Sequence, residues 1–222
     1  MKKTAFISLT ILLLAFSSCI QELSFKEAQP TEKKNETKFK NKFRGEYLCI
    51  EDSSILIISK NKITQNWNIE TKLTKTQIDT TSELEFKDGL VYIENNEVPL
   101  NIDYLGDTAI ISYKYEETIF NISDNQLLRY FKGIYFLNYK QFENSWNVKT
   151  LSFNKDGILS INKIHVSEEE IKKIKDLTNI EETTDDKGAI IDYTVHPTKK
   201  ELKEILKSNL FKEGKTFIKI KK

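Results

Sequence analysis

The strongest constraint on this chain is the close spacing of its β-prone runs: between Glu46 and Ile122 nine of them follow one another with no crossover helix between. They cover Glu46–Ile50, Ser54–Ser59, Lys62–Asn66, Thr71–Asp79, Glu83–Phe86, Leu90–Glu94, Val98–Tyr104, Thr108–Tyr115 and Thr118–Ile122. Between them stands turn chemistry such as Glu51-Asp52-Ser53, Lys60-Asn61, Asn95-Asn96 and Gly106-Asp107, with Glu116-Glu117 marking a hairpin turn. Parallel strands need connections of about a dozen residues or more, so this spacing predicts an antiparallel meander or a partly closed barrel over residues 42–126.

Residues 127–222 change character. His165-Val166-Ser167-Glu168-Glu169-Glu170-Ile171 aligns with His196-Pro197-Thr198-Lys199-Lys200-Glu201-Leu202 at an offset of 31, each copy following a β-prone run. Ser167 with Glu170, and Thr198 with Glu201, have capping-box spacing, in which the hydroxyl accepts from the third helical amide and the carboxylate reaches back. Helices are expected over Glu168–Leu177 and Lys199–Ser208, each with an apolar stripe, and a last strand over Thr216–Ile220. The fold class is therefore mainly β with an α+β C-terminal part, a sheet carrying two helices on one face.

The N-terminus has a different design. Lys2 and Lys3 precede the apolar run Ala5–Phe16, which ends in Ser17-Ser18-Cys19. A charged start, about a dozen apolar residues and small residues before a cut are the marks of an export signal, too short for a permanent span. With the cysteine at the cut, the segment resembles bacterial lipoprotein signal peptides, and the Lys-, Ile- and Asn-rich composition resembles lipoproteins of the Bacteroidota. The resemblance implies a signal over 1–18, acylation of Cys19, and the lipid bilayer as first partner. Ile20 stands where an aspartate would favour inner-membrane retention, which points to the outer membrane, on its periplasmic face or at the cell surface. The polar stretch after it, with Pro30 and Glu32-Lys33-Lys34-Asn35-Glu36, has the composition of a flexible tether over 19–41.

Charge and motifs narrow the function classes. The formal net charge is +1 and falls to about −1 without Lys2 and Lys3, which leaves no basic excess for nucleic acid. Cys49 has no intrachain partner once Cys19 is acylated, and reads as a buried, inert thiol. No nucleophile elbow, zinc-protease motif or phosphate-cradling loop is present, and no cofactor is indicated. The two histidines, His165 and His196, precede the two helix caps and are the sharpest ligand candidates; a metal site would need a third ligand that no spacing announces. Aromatic residues crowd between Tyr130 and Trp146, and Tyr135, Tyr139 and Trp146 are candidates for a ligand surface. The leading expectation is a non-catalytic binding module for an envelope protein or a small apolar ligand. The rival is an envelope hydrolase using carboxylates or the His165/His196 pair.

Overall fold

The computed structural model describes residues 22–80, 84–87, 90–93 and 100–220. Cys19, the export signal and the Asn95-Asn96 turn lie outside them. The elements are β1 (Glu22–Phe25), β2 (Asn35–Glu36), β3 (Gly45–Cys49), β4 (Ile55–Ile58), β5 (Lys62–Thr74), α1 (Lys75–Thr80), β6 (Leu84–Lys87), β7 (Leu90–Ile93) and β8 (Asn101–Leu105). They continue with β9 (Thr108–Asn121), β10 (Gln126–Phe131), β11 (Ile134–Phe142), β12 (Ser145–Phe153) and β13 (Leu159–Ile164). Last come α2 (Glu168–Lys175), β14 (Ile180–Thr184), β15 (Ile190–Val195), α3 (Lys199–Lys207) and β16 (Phe211–Lys219). The protein is mainly β, with a large, mostly antiparallel sheet that does not close into a barrel and helices toward the C-terminus.

The chain divides into two compact units. One is built from the residues up to Asn35 with Arg129–Leu151 and Asn162–Gly214; the other from Glu36–Leu128, Ser152–Ile161 and the residues from Lys215 on. The expected division into 42–126 and 127–222 does not describe this arrangement. Strands β2, β10, β12, β13 and β16 each give residues to both units, because pairing partners, not sequence position, decide which core a strand residue joins.

In the first unit the strand order is β14-β15-β1-β12-β11-β10. Strand β1 runs parallel to β15, Glu22 opposite Asp192 and Phe25 opposite Val195, and meets β12 with Phe25 opposite Trp146. Alternation along the strands turns Leu23, Phe25, Val148, Tyr193 and Val195 to one face. There they bury against Ile171 and Ile174 of α2 and Leu202 and Ile205 of α3. Both helices begin at the expected caps. Ser167 Oγ accepts from the Glu170 amide at 3.3 Å. Thr198 Oγ1 accepts from the Glu201 amide at 3.3 Å while Glu201 Oε2 accepts from the Thr198 amide at 2.8 Å, the full capping box.

The tether is overturned for its described part, residues 22–41. Leu23, Phe25, Ala28, Gln29 and Phe39 are buried, Gln29 and Phe39 completely. Two side chains from about a hundred residues away hold this stretch as neighbouring strands otherwise would. Asn138 Oδ1 accepts the Gln29 N–H at 2.6 Å and its Nδ2 donates to the Gln29 carbonyl at 2.9 Å. Arg129 Nη1 donates to the carbonyls of Ala28 (2.5 Å), Pro30 (2.9 Å) and Thr31 (3.4 Å), and its Nε to Asn35 Oδ1 (2.9 Å). Low mean hydropathy forecasts disorder when apolar residues lack partners; here each finds one.

In the second unit the order is β16-β3-β4-β5-β9-β8. The connected hairpins β3–β4–β5 form the expected meander, around a core holding Phe39, Phe43, Tyr47, Leu56, Ile63, Phe120 and Phe217. Phe43 and Phe153 approach to 4.8 Å between ring centroids. The Tyr47 hydroxyl donates to the Phe43 carbonyl at 2.7 Å, and burial pushes this phenol up to about 12. Two local expectations fail. Glu116 and Glu117 are not a turn: they lie within the 14-residue β9, opposite Asn66 and Gln65, with their side chains exposed to water. The run Thr71–Asp79 splits into the end of β5 and α1, because Thr74 and Gln77 bond each other's amides in capping fashion, at 3.3 Å and 2.9 Å.

Candidate functional site

Alternation along β1, β12 and β15 that sends apolar side chains to the helices turns Ser24, Asn147 and Asp192 to the other face. There, within the first unit, opens a cleft of about 310 Å³ lined by Leu23, Ser24, Gln141, Phe142, Ser145, Asn147, Ile191 and Asp192. Its polar wall is rich in acceptors. Ser24 Oγ donates to Asp192 Oδ2 at 3.3 Å and lies 3.0 Å from Thr194 Oγ1. Asn147 Oδ1 is shielded from solvent and has no hydrogen-bond donor. Such an acceptor costs about 1–3 kcal/mol when left unmade, and an incoming N–H or O–H relieves that cost. One carboxylate and no basic side chain line the cleft, and at its rim the Phe142 ring is 77% exposed. The arrangement suits a ligand group that donates hydrogen bonds and itself carries no negative charge.

Of the residues singled out from the sequence, the two histidines each have a carboxylate partner of their own. His165 Nδ1 lies 3.0 Å from Glu213 Oε2, and His196 Nε2 lies 3.8 Å from Glu27 Oε1, so each imidazole faces its own carboxylate at the surface. Burial raises the Glu213 carboxyl, but His165 and Lys163 outweigh it and hold the group below its ordinary value. Among the described residues no cluster of His, Cys, Asp and Glu is grouped to hold a metal ion. Tyr135 is fully buried, its ring 4.8 Å from that of Tyr130. Tyr139 carries Lys149 Nζ 5.4 Å above its ring. Trp146 packs against the helix-facing core, while its neighbours Ser145 and Asn147 line the cleft. Reading the aromatics as the site missed these two polar neighbours. No local signal marks them, since Ser24 and Asp192 stand 168 positions apart.

The densest polar network lies in the second unit, at the β3–β4 turn. Asp52 accepts from Ser54 N (3.0 Å) and Ser54 Oγ (2.5 Å), Trp67 Nε1 (3.2 Å) and Lys215 Nζ (2.7 Å). Glu51 accepts from the Thr216 amide at 3.0 Å, and the buried Cys49 thiol donates to Glu51 Oε2 at 3.2 Å. Burial pushes the Cys49 thiol up, so it stays protonated and unreactive. With four donors on one carboxylate, Asp52 is a structural clasp that ties the turn to β5 and β16. Burial raises its carboxyl, but Lys215 and Ser54 overcome this and hold it well below the usual carboxylate range. A depressed folded-state value means a contribution fully present above the unfolded value near 3.9 and lost progressively as pH falls from there through the lower folded value. Asp52→Asn is expected to lower stability at pH 7 by about 1 kcal/mol, after discounting for partial exposure, and by clearly less near pH 2, where part of the contribution is already lost. Urea midpoints of both proteins across that range check it.

No family model, no curated protein and no solved structure matches this chain. Among the described residues no helix is long and apolar enough to cross a membrane.

Proposed function

We propose that this chain is a lipid-anchored protein of the bacterial envelope, held at the outer membrane through acylated Cys19, and that it works as a non-catalytic binding module with the cleft of the first unit as its binding place. The observation that carries the binding reading is the shielded, donorless Asn147 Oδ1 in the cleft wall beside Ser24 and Asp192. The cleft offers shape, acceptors and one exposed ring, and no imidazole, amine or thiol lines it beside the Ser24–Asp192 pair to carry a proton onward. The anchoring reading rests on the order of Lys2-Lys3, the apolar run and Ser17-Ser18-Cys19.

Radiolabelled palmitate fed to expressing cells is expected to enter the wild-type chain and not Cys19→Ala, with the variant leaving the membrane fraction. An unlabelled wild-type chain would overturn the anchor. For the binding half, wild type and Asp192→Asn are purified from membranes in mild detergent and their extracts compared by mass spectrometry. A small molecule retained by wild type and lost in the variant is expected. Identical extracts would remove the cleft from its role.

A further inference from the structure

Among the described residues the first strand begins at Glu22, and β1 is held between β15 and β12. Two residues, Ile20 and Gln21, separate Glu22 from Cys19, and the three peptide units between them reach at most about 11 Å. An acyl chain on Cys19 would therefore leave the body no swing, and the surface beside Glu22 would lie at the lipid headgroups. Leu23 and Ser24, the next two residues of β1, line the cleft. On this reading of the anchor, on which the inference rests, the binding cleft opens at the bilayer.

We propose that the cleft holds the primary ammonium headgroup of a membrane lipid, of the phosphatidylethanolamine class. An ammonium is a point charge with three donors and no acceptor. The wall offers the matching set: the Asp192 carboxylate for its charge, with Asn147 Oδ1 and Ser24 Oγ as acceptors. Charge-assisted hydrogen bonds of this kind are about twice as strong as neutral ones. The absence of Lys and Arg from the lining disfavours anionic headgroups that carry no ammonium. The exposed Phe142 ring supplies an apolar side chain for contact with the lipid.

The test uses the full acylated protein in vesicles, with an environment-sensitive dye on Glu143→Cys; Glu143 is exposed at the β11–β12 turn beside Phe142. Buried Cys49, 1% exposed, stays unlabelled. Quenching by phosphatidylethanolamine carrying an acyl-chain spin label is compared with quenching by equally labelled phosphatidylglycerol. An association ratio of about tenfold in favour of the ethanolamine lipid is expected. The isosteric Asp192→Asn and the cleft-filling Ser145→Tyr should each bring it close to one while the circular dichroism stays that of wild type. Equal quenching by both lipids in a palmitate-labelled protein would overturn the headgroup assignment and leave the anchor standing. A protein that takes no palmitate and stays off vesicles would overturn the anchor instead. A dye on the vesicle-bound protein that neither lipid quenches, with free ethanolamine binding wild type and not Asp192→Asn, would place the ligand in solution and overturn the lipid assignment.

Discussion

Phe25→Ala is expected to destabilise the protein by about 3–5 kcal/mol, the largest single-residue loss predicted for this chain. Phe25 is 1% exposed and its ring lies 6.4 Å from that of Phe211. It stands beside Val195 on one side and Trp146 on the other, in the layer that α2 and α3 cover. Truncation removes the transfer energy of a whole aromatic ring and leaves a cavity bounded by helices and strands that relax only in part. Urea unfolding followed by circular dichroism reads the loss as a lower midpoint at unchanged slope. A residue in a solvated tether would show no change, so this substitution measures directly whether the stretch after Cys19 is leash or body. A neutral result would return it to the leash.

The elements legible in the sequence are those whose causes are local. Turn residues set β3–β4–β5, and hydroxyl-carboxylate spacing set the starts of α2 and α3 to the residue. What escaped depends on partners far along the chain. Residues 22–41 carry too few apolar groups to predict a fold, yet Leu23, Phe25 and Phe39 each enter a core supplied by other segments. The Glu116-Glu117 pair looks like a turn because adjacent carboxylates favour water, but exposed positions along the long strand β9 satisfy them equally. The cleft has no sequence signature at all: Ser24, Asn147 and Asp192 are common residue types on three strands, gathered only because β1 inserts between β15 and β12. The histidines are a different case. Equivalent positions in two repeats suggested one site, but each imidazole found its own carboxylate.

Asn138→Leu is expected to cost about 2–4 kcal/mol although leucine fills nearly the same volume. Asn138 and Gln29 are both fully buried, and the asparagine amide satisfies the N–H and the carbonyl of Gln29 together. Leucine strands both groups in a place water does not reach, and each then bears its own desolvation penalty. Asn138→Asp separates packing from hydrogen bonding. A carboxylate there still accepts the Gln29 N–H but sets a buried negative charge against the Gln29 carbonyl. Burial will raise its folded value above the unfolded value near 3.9. The protonated acid then donates to the carbonyl as the amide did, so the variant is closest to wild type below about pH 4 and loses stability as pH rises through the folded value. That slope opposes the one set by Asp52, whose contribution disappears on acidification. Urea midpoints of Asn138→Asp at pH 4 and pH 7, each referred to wild type at the same pH, should therefore show the larger deficit at pH 7. A deficit equal at both would mean that shape, and not the paired hydrogen bonds, holds Gln29 in place.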